Sequence, residues 1–152
     1  MALRPAVAAG LRRFMALSLT TDLLTHNDII DRQHMVLFER INMVISMHEK
    51  AAVRCETEKT LDLLGAYIKK HFSDEEELMR QCGYKYIDWH MEMHRWYIAE
   101  FCKLRKEYID KGPSEQYHKL LENSIINWIV KHILNVDVSL GKYINECKLR
   151  NS

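Results

Sequence analysis

The sequence predicts an all-α protein, an up-down-up-down four-helix bundle with an N-terminal arm and a short C-terminal helix. Three observations lead to this prediction. Glycine (5) and proline (2) are scarce in a chain of 152 residues, so the turns of an all-β fold have little support. Apolar residues recur at helical spacing in four long segments. The stretches that connect these segments are short, as they are between antiparallel helices.

The N-terminal arm, residues 1–22, is basic and precedes the domain formed by residues 23–152. It carries Arg4, Arg12 and Arg13 and has no acidic residue before position 22. Its apolar residues follow a helical spacing, which predicts a short amphipathic helix through Leu3, Val7, Leu11, Phe14 and Leu17. We expect this helix to dock on the domain or on a protein partner.

Four long helices are predicted after the arm, each with one apolar stripe. They cover about residues 28–48, 57–81, 88–110 and 115–133. Gly83 marks a helix end, and Pro113 and Ser114 mark the start of the fourth helix. A further short helix is expected from Val136 onward. Since no linker or repeat interrupts this pattern, the four helices form one domain.

Composition excludes several classes of function. Lys plus Arg (22) almost equals Asp plus Glu (21), so a net charge of +1 argues against nucleic acid as a partner. No apolar run reaches the roughly 18 residues that a membrane span needs. The four cysteines form no C-x-x-C pair, which argues against a redox dithiol or a zinc knuckle. We expect reduced thiols and a cytoplasmic protein.

Six polar residues lie on the stripes that must face the core. A single core histidine is usually a hydrogen-bonded structural residue, but six polar groups on four neighbouring helices need a shared explanation. Each would cost roughly 1–3 kcal/mol if it were buried without a partner. A common metal centre would satisfy all of them, and the candidate ligands are His34, His71, Glu75, His90, His94 and His132.

The spacing of these candidates supports a metal centre. His71 and Glu75, like His90 and His94, are four residues apart, so each pair projects from one face of its helix. Glu76 and Glu77 are rotated away from this face and are expected in solvent. Asp137 follows His132 by five residues, or about 500° of ideal helix, and therefore points about 140° away from it. If Asp137 is a ligand, the fourth helix must end or contain a π-type bulge between the two residues.

Five short segments join these candidates to characteristic neighbours. They are Asp31-Arg-Gln-His34-x-x-Leu37-Phe38, His71-Phe72-x-x-Glu75-Glu76, Gly83-Tyr84, His90-x-x-x-His94 and Trp128-x-x-x-His132-Ile133-x-x-x-Asp137. In order and spacing, these segments, which span about residues 25–145, resemble the hemerythrin family. Lys85 departs from the family, which often has proline after Gly-Tyr, but no ligand position is affected.

The resemblance implies a centre of two iron ions bridged by an oxo or hydroxo oxygen. Three histidines would bind one iron (His90, His94 and His132), and His34 and His71 would bind the other. Glu75 and Asp137 would bridge the two ions. This ligand set leaves one octahedral position open, on the iron with two histidines, where a small molecule would bind.

The predicted function is therefore reversible O2 binding by a carrier, store or sensor. The alternative is a di-iron enzyme on the same scaffold, such as a peroxidase, an oxidase or a nitric oxide-handling catalyst. A site that only stabilises the fold with zinc fits poorly, because zinc prefers four ligands. Four residues are candidates for the O2 pocket, although their spacing suits plain core positions equally: Trp128, Leu37, Ile41 and Ile133.

The remaining polar residues of interest are not predicted to be metal ligands. His26 and His48, at the ends of the first helix, are expected in solvent, and His118 is expected on the surface. A ferritin-like interpretation built on His118 would leave His90 and His94 without a role. Asp31, Tyr67, Tyr97 and backbone carbonyls are the candidate partners for the second ring nitrogens of the ligand histidines.

Overall fold

The computed structural model describes residues 14–152. The predicted helix through Leu3, Val7 and Leu11 therefore lies outside the described residues, as do the three arginines of the arm. The idea of a protein partner for this arm finds no support. The boundary between arm and domain after residue 22 stays a prediction.

Four helices make up the bundle, as the sequence predicts. Helix α1 spans Asp28–Glu49, α2 spans Arg54–Gln81, α3 spans Ile87–Lys111, and α4 runs over residues 115–151. Short connections bring consecutive helices side by side, and each packs against the next in the order α1, α2, α3, α4. No strand occurs among residues 14–152, so the predicted all-α class is confirmed.

The helix ends follow from local chemistry. The side chain of Asn27 caps α1 by accepting from the backbone N–H groups of Ile29 and Ile30. Ser114 caps α4 in the same way, with its hydroxyl accepting from Tyr117 N at 3.0 Å. Gly83 follows α2 with φ of 59°, a left-handed conformation that glycine adopts without strain. The predicted boundaries at Gly83 and Ser114 are thus confirmed.

Helix α4 is not a regular α-helix along its length. It is α-helical over Glu115–Lys119, π-helical over Leu120–Asn127, α-helical over Trp128–His132, π-helical over Ile133–Asp137 and α-helical over Val138–Asn151. The backbone stays in the right-handed helical region at every junction. The predicted C-terminal helix is therefore present, and it continues α4 without a break.

The core is built from the predicted stripes. A large cluster fills the bundle, and it includes Leu37 and Ile41 of α1, Phe72 of α2 and Ile133 of α4, all of them buried. A second, smaller cluster joins α1, α2 and the C-terminal part of α4, and its members are Ile30, Met79, Leu140 and Ile144. The polar residues predicted on the same stripes are buried with them.

The N-terminal segment, residues 14–20, docks on this core without forming a helix. Phe14, Leu17 and Leu19 pack against the large cluster. The backbone of Leu17 makes two 2.8 Å hydrogen bonds with the side-chain amide of Asn42, donating to Oδ1 and accepting from Nδ2. The prediction of a helix through Phe14 and Leu17 is therefore wrong. The side-chain amide of Asn42 pairs with the backbone N–H and C=O of Leu17, which a helix would pair internally.

No helix in the described range, residues 14–152, is both long and apolar enough to span a bilayer.

Candidate metal centre

Two overlapping sets of side chains meet inside the bundle. In each set, four potential ligand atoms lie within 4.8 Å of one another, and all residues are buried. The three-histidine group consists of Glu75, His90, His94 and His132. The two-histidine group consists of His34, His71, Glu75 and Asp137. The structure thus brings all seven predicted ligands together, with Glu75 belonging to both groups.

Every long helix contributes to this cluster. Helix α1 provides His34, α2 provides His71 and Glu75, α3 provides His90 and His94, and α4 provides His132 and Asp137. The two pairs spaced by four residues each project from one helix face, as their spacing predicts. The site is therefore built on rigid helices rather than on loops.

The approach of Asp137 depends on the second π segment of α4. Ile133–Asp137 is π-helical, which adds backbone between His132 and Asp137. As a result, Asp137 Oδ1 lies 3.1 Å from His132 Nε2 instead of on the opposite face of the helix. This confirms the bulge that the sequence requires if both side chains are to serve one site.

The two carboxylates stand between the imidazoles. Glu75 Oε2 lies 3.3 Å from His90 Nε2 and 3.1 Å from His94 Nε2. Asp137 Oδ1 lies 3.2 Å from His90 Nε2, and its Oδ2 lies 3.2 Å from His34 Nε2. Carboxylates at the centre and imidazoles around them form an arrangement suited to cations.

Many of these atoms lack a hydrogen-bond partner of good geometry. Within residues 14–152, this is true of both carboxylate oxygens of Glu75 and Asp137 and of Nε2 in His34, His71 and His94. Buried polar atoms left in this state cost roughly 1–3 kcal/mol each. The donor set therefore fits metal ions, which would satisfy the oxygens and ring nitrogens together.

The charges of the metal-free site follow from the same contacts. Burial and the Asp137 carboxylate act to raise the pKa of Glu75, but the imidazoles of His90 and His94 outweigh them and bring it to about 2. Burial alone would also raise the pKa of Asp137, yet the contacts with His132, His34 and His90 hold it well below its usual range. Both carboxylates are therefore ionised at neutral pH.

The histidines differ in charge. Burial acts to lower the pKa of His90, but the Asp137 and Glu75 carboxylates outweigh it and raise the pKa to about 9. The pKa of His34 is also raised, because Asp137 outweighs the effect of burial. Burial dominates at His71 and lowers its pKa to about 4. At neutral pH, His90 holds a proton that balances carboxylate charge, whereas His71 is neutral.

Two side chains outside the cluster contact candidate ligand histidines at the second ring nitrogen. His71 Nδ1 lies 2.9 Å from Gln33 Oε1, and Gln33 in turn donates to Asp74 Oδ2 at 2.7 Å. His94 Nδ1 lies 2.9 Å from Glu76 Oε1. These contacts fix the ring orientation and leave Nε2 directed at the site. Glu76 is therefore not a solvated residue as predicted, because α3 lies close enough for His94 to reach it.

The residues predicted to orient the histidine rings make other contacts instead. Asp31 accepts from the backbone N–H and the hydroxyl of Thr25 at 2.8 and 2.7 Å. The hydroxyl of Tyr97 donates to Ile125 O, and the Arg40 guanidinium lies 5.0 Å from the ring centroid of Tyr67. The prediction was wrong because helical phase does not show which side chain reaches across to a neighbouring helix. Gln33 and Glu76 each stand next to a candidate ligand in the motifs given above, and this adjacency was the local signal for both.

The predicted pocket residues occupy two environments. Leu37, Ile41 and Ile133 are completely buried in the large core cluster. Trp128 is half-buried, and its ring stacks on the ligand candidate His132 at 4.6 Å and 12°. Trp128 therefore borders the three-histidine group. An O2 pocket formed by these four residues stays a prediction.

The other histidines lie outside both groups. His26 is exposed, as predicted, but His48 and His118 are half-buried. His118 Nδ1 lies 3.4 Å from His48 Nε2, and the Phe14 ring packs 4.7 Å from that of His118. Their predicted exposure was wrong because the N-terminal segment covers them. His118 does not join the metal cluster, as predicted.

Comparisons with known proteins agree with this site. Residues 25–142 match the hemerythrin HHE cation binding domain. A bacteriohemerythrin of Campylobacter jejuni is 33% identical over 124 residues, which cover 80% of this chain and 90% of the relative. A bacteriohemerythrin of Methylococcus capsulatus is 30% identical over 119 residues, which cover 77% of this chain and 87% of the relative.

A solved structure extends the comparison to the fold. The crystal structure of a hemerythrin mutant superposes with a TM-score of 0.71 at 27% sequence identity, covering 88% of this chain and 98% of that one. The matched family region contains all seven residues of the cluster. The chain therefore belongs to the hemerythrin family.

Proposed function

We propose that this protein binds two iron ions, bridged by an oxo or hydroxo oxygen, and binds O2 reversibly at a position that the two-histidine group leaves open. One observation carries the proposal: two four-ligand groups share Glu75, and most of their ligand atoms are buried without hydrogen-bond partners. In this assignment, His90, His94 and His132 hold one ion, His34 and His71 hold the other, and Glu75 and Asp137 bridge them.

The chemistry of the donors favours iron. Imidazole nitrogens with carboxylate oxygens suit iron, whereas magnesium and calcium prefer oxygen alone. Zinc prefers a closed site of four ligands, which a seven-residue cluster exceeds. No cysteine takes part in either group within residues 14–152, so soft thiolate ligation is not involved.

The charge of the ligand set favours reversible O2 binding over catalytic turnover. Two iron ions held by these seven residues would supply the two electrons that O2 takes up on binding and would regain them on its release. With the metal ions bound, five imidazoles would add no negative charge and only two carboxylates would, which leaves the site less negative than carboxylate-rich oxidase centres and disfavours more highly oxidised states. We therefore favour an O2 carrier, store or sensor over an oxidase, a peroxidase or a nitric oxide-handling enzyme.

Burial supports reversibility. Six of the seven ligands have 0–1% exposure, and His132 has 4%. Apolar side chains of Leu37, Ile41 and Ile133 are assigned to the wall that keeps water and protons from bound O2, and Trp128 closes the side next to His132. Water entry would promote loss of reduced oxygen and leave the irons ferric. An apolar wall therefore lengthens the life of the oxygenated form.

We also propose a reducing, cytoplasmic location. All four cysteines are free thiols, and no disulfide links the helices. Burial and the neighbouring Cys147 thiol raise the pKa of Cys82 to about 11, which keeps it protonated. A chain that builds a large apolar core does not need cross-links for stability.

Metal analysis, anaerobic reduction and O2 titration test the proposal directly. The wild-type protein should hold two irons per chain and develop an optical charge-transfer band with O2 that disappears when O2 is removed. His71→Ala should lower the iron content and abolish stable O2 binding, because it removes a ligand from the two-histidine group.

His118→Ala is the matched control, since this histidine is half-buried beside His48 and lies outside the cluster. Its iron content and O2 band should equal those of the wild type. Colourless protein loaded with zinc would contradict the proposal, and irreversible consumption of O2 would indicate an enzyme instead. Normal iron content and O2 binding in His71→Ala would remove His71 from the site.

A further inference from the structure

A line of neighbouring aromatic rings leads from the surface to the candidate metal cluster. Trp96 on α3 is 44% exposed. Its ring lies 5.4 Å from that of Trp128 on α4, at an interplanar angle of 31°. The ring of Trp128 lies 4.6 Å from that of His132, nearly parallel at 12°. Two contacts therefore join solvent to a ligand of the three-histidine group.

Such a line matters because the cluster itself is out of reach. This step rests on the proposed function: an O2-binding iron pair that becomes ferric must be reduced before it binds O2 again. The ligands are at most 4% exposed, so no donor molecule touches them. Electrons must then tunnel through protein, and tunnelling falls off much more slowly through contacting π-systems than across gaps.

We propose that Trp96 and Trp128 form the path by which an outer-sphere one-electron donor reduces the iron bound to His132. Two donor molecules each lose one electron at the Trp96 surface, and the two electrons convert the ferric pair to the ferrous pair. One proton from solvent would accompany the two electrons, since reduction of an oxo-bridged ferric pair would leave a hydroxo bridge. The indole rings bridge the transfer and are unchanged at its end.

The surface around Trp96 suits an encounter with a flat donor. Trp96 and Trp128 line an open cavity of about 210 Å³ together with Trp89, Glu92 and Met93. Trp89 is 54% exposed, so two indoles on one helix face present their rings to solvent. A planar aromatic cation can stack on such rings, with Glu92 providing a favourable charge.

A second aromatic route exists and serves as the comparison. Tyr86 is 53% exposed and lies 5.8 Å from Tyr84, whose ring is 6.5 Å from that of His90. Both contacts are edge-on, at 77° and 71°. These contacts are longer and less overlapped than those of Trp128, so the tryptophan route should dominate.

The test measures anaerobic reduction of the ferric, iron-loaded protein by reduced methyl viologen in a stopped-flow instrument. Trp96→Leu and Trp128→Leu should each slow the reduction by about an order of magnitude, whereas Trp128→Phe should retain much of the rate. Tyr86→Leu is the matched control and should reduce at the wild-type rate. Iron content and circular dichroism establish that each variant is folded and loaded.

A second readout needs no iron. Oxidised methyl viologen should quench the tryptophan fluorescence of the metal-free protein by stacking, and Trp96→Leu should lose much of this quenching while Tyr86→Leu retains it. Equal reduction rates in Trp96→Leu and wild type would overturn the proposal, as would slowing by Tyr86→Leu alone. Because Trp96 is on the surface, Trp96→Leu should fold, and it tests the proposal even if Trp128→Leu fails to fold. Failure of O2 binding would refute the proposed function but leave these rates measurable.

Discussion

Iron uptake by the metal-free protein should release a proton from His90. The Asp137 and Glu75 carboxylates raise the pKa of His90 to about 9, so its imidazole is charged at pH 7. An imidazole binds a metal ion only in its unprotonated, neutral form, and binding therefore displaces this proton. The difference between pH 7 and a pKa of about 9 corresponds to about 3 kcal/mol, or a roughly hundredfold weaker apparent affinity at pH 7 than well above pH 9.

Because iron binding displaces a proton, the apparent affinity for iron should increase with pH. Between pH 7 and 9, the apparent affinity should rise about tenfold per pH unit from His90 alone, and the rise should level off above its pKa. The raised pKa of His34 acts in the same direction. His71 contributes no proton at pH 7, because burial lowers its pKa to about 4.

Anaerobic calorimetry of ferrous binding, in buffers that differ in ionisation enthalpy, counts the protons. The number released per chain should fall by about one from His90 between pH 7.5 and pH 10, and the raised pKa of His34 adds to this decrease. Release from a bridging water persists at high pH, so the decrease isolates the histidines. A proton count that stays constant over this range would refute the charge assignment of His90.

Three substitutions test other contacts. Glu76→Ala removes the partner of one ligand histidine and should weaken iron binding by about 10–100-fold in an anaerobic titration, whereas Glu77→Ala, at an exposed site, should not. Gly141→Ala would place a Cβ 2.5 Å from Thr25 Cβ and closer still to its carbonyl oxygen. The required backbone shift should lower the free energy of unfolding by about 1–3 kcal/mol in urea titrations, and an unchanged midpoint would contradict this packing. Phe14→Ala should lower the free energy of unfolding by about 1–2 kcal/mol, because it uncovers the histidine pair beneath Phe14, while the iron content stays constant. A loss of iron would contradict the separation of Phe14 from the site.

Periodicity predicted that six candidate ligands would face the core, because each lies on the apolar stripe of its own helix. His34, His71 and His90 could be placed by phase alone, since an α-helix repeats its faces regularly. Asp137 was out of phase, and this mismatch required either a helix end or a π-type bulge if Asp137 is a ligand; the structure has the π segment. The four-helix arrangement followed from the same stripes and from short connections.

Contacts between elements could not be predicted in this way. Gln33 and Glu76 hold ligand histidines on neighbouring helices, and the sequence of one helix does not say how closely the next approaches. The cover that Phe14 places over His48 and His118 was missed for the same reason. Within the N-terminal segment, Asn42 pairs with the backbone of Leu17, so a helical spacing of apolar residues did not produce a helix.

The π segment at Ile133–Asp137 makes the shared site depend on chain length as well as on residue type. Deletion of one residue between His132 and Asp137 would place the carboxylate four residues after His132, where a regular α-helix keeps both side chains on one face. Conversion of the segment to a regular α-helix without a deletion would instead turn Asp137 about 140° away from His132. The number of residues between the two side chains and the local helix type are therefore matched, and a change in one should be tolerated only together with a change in the other.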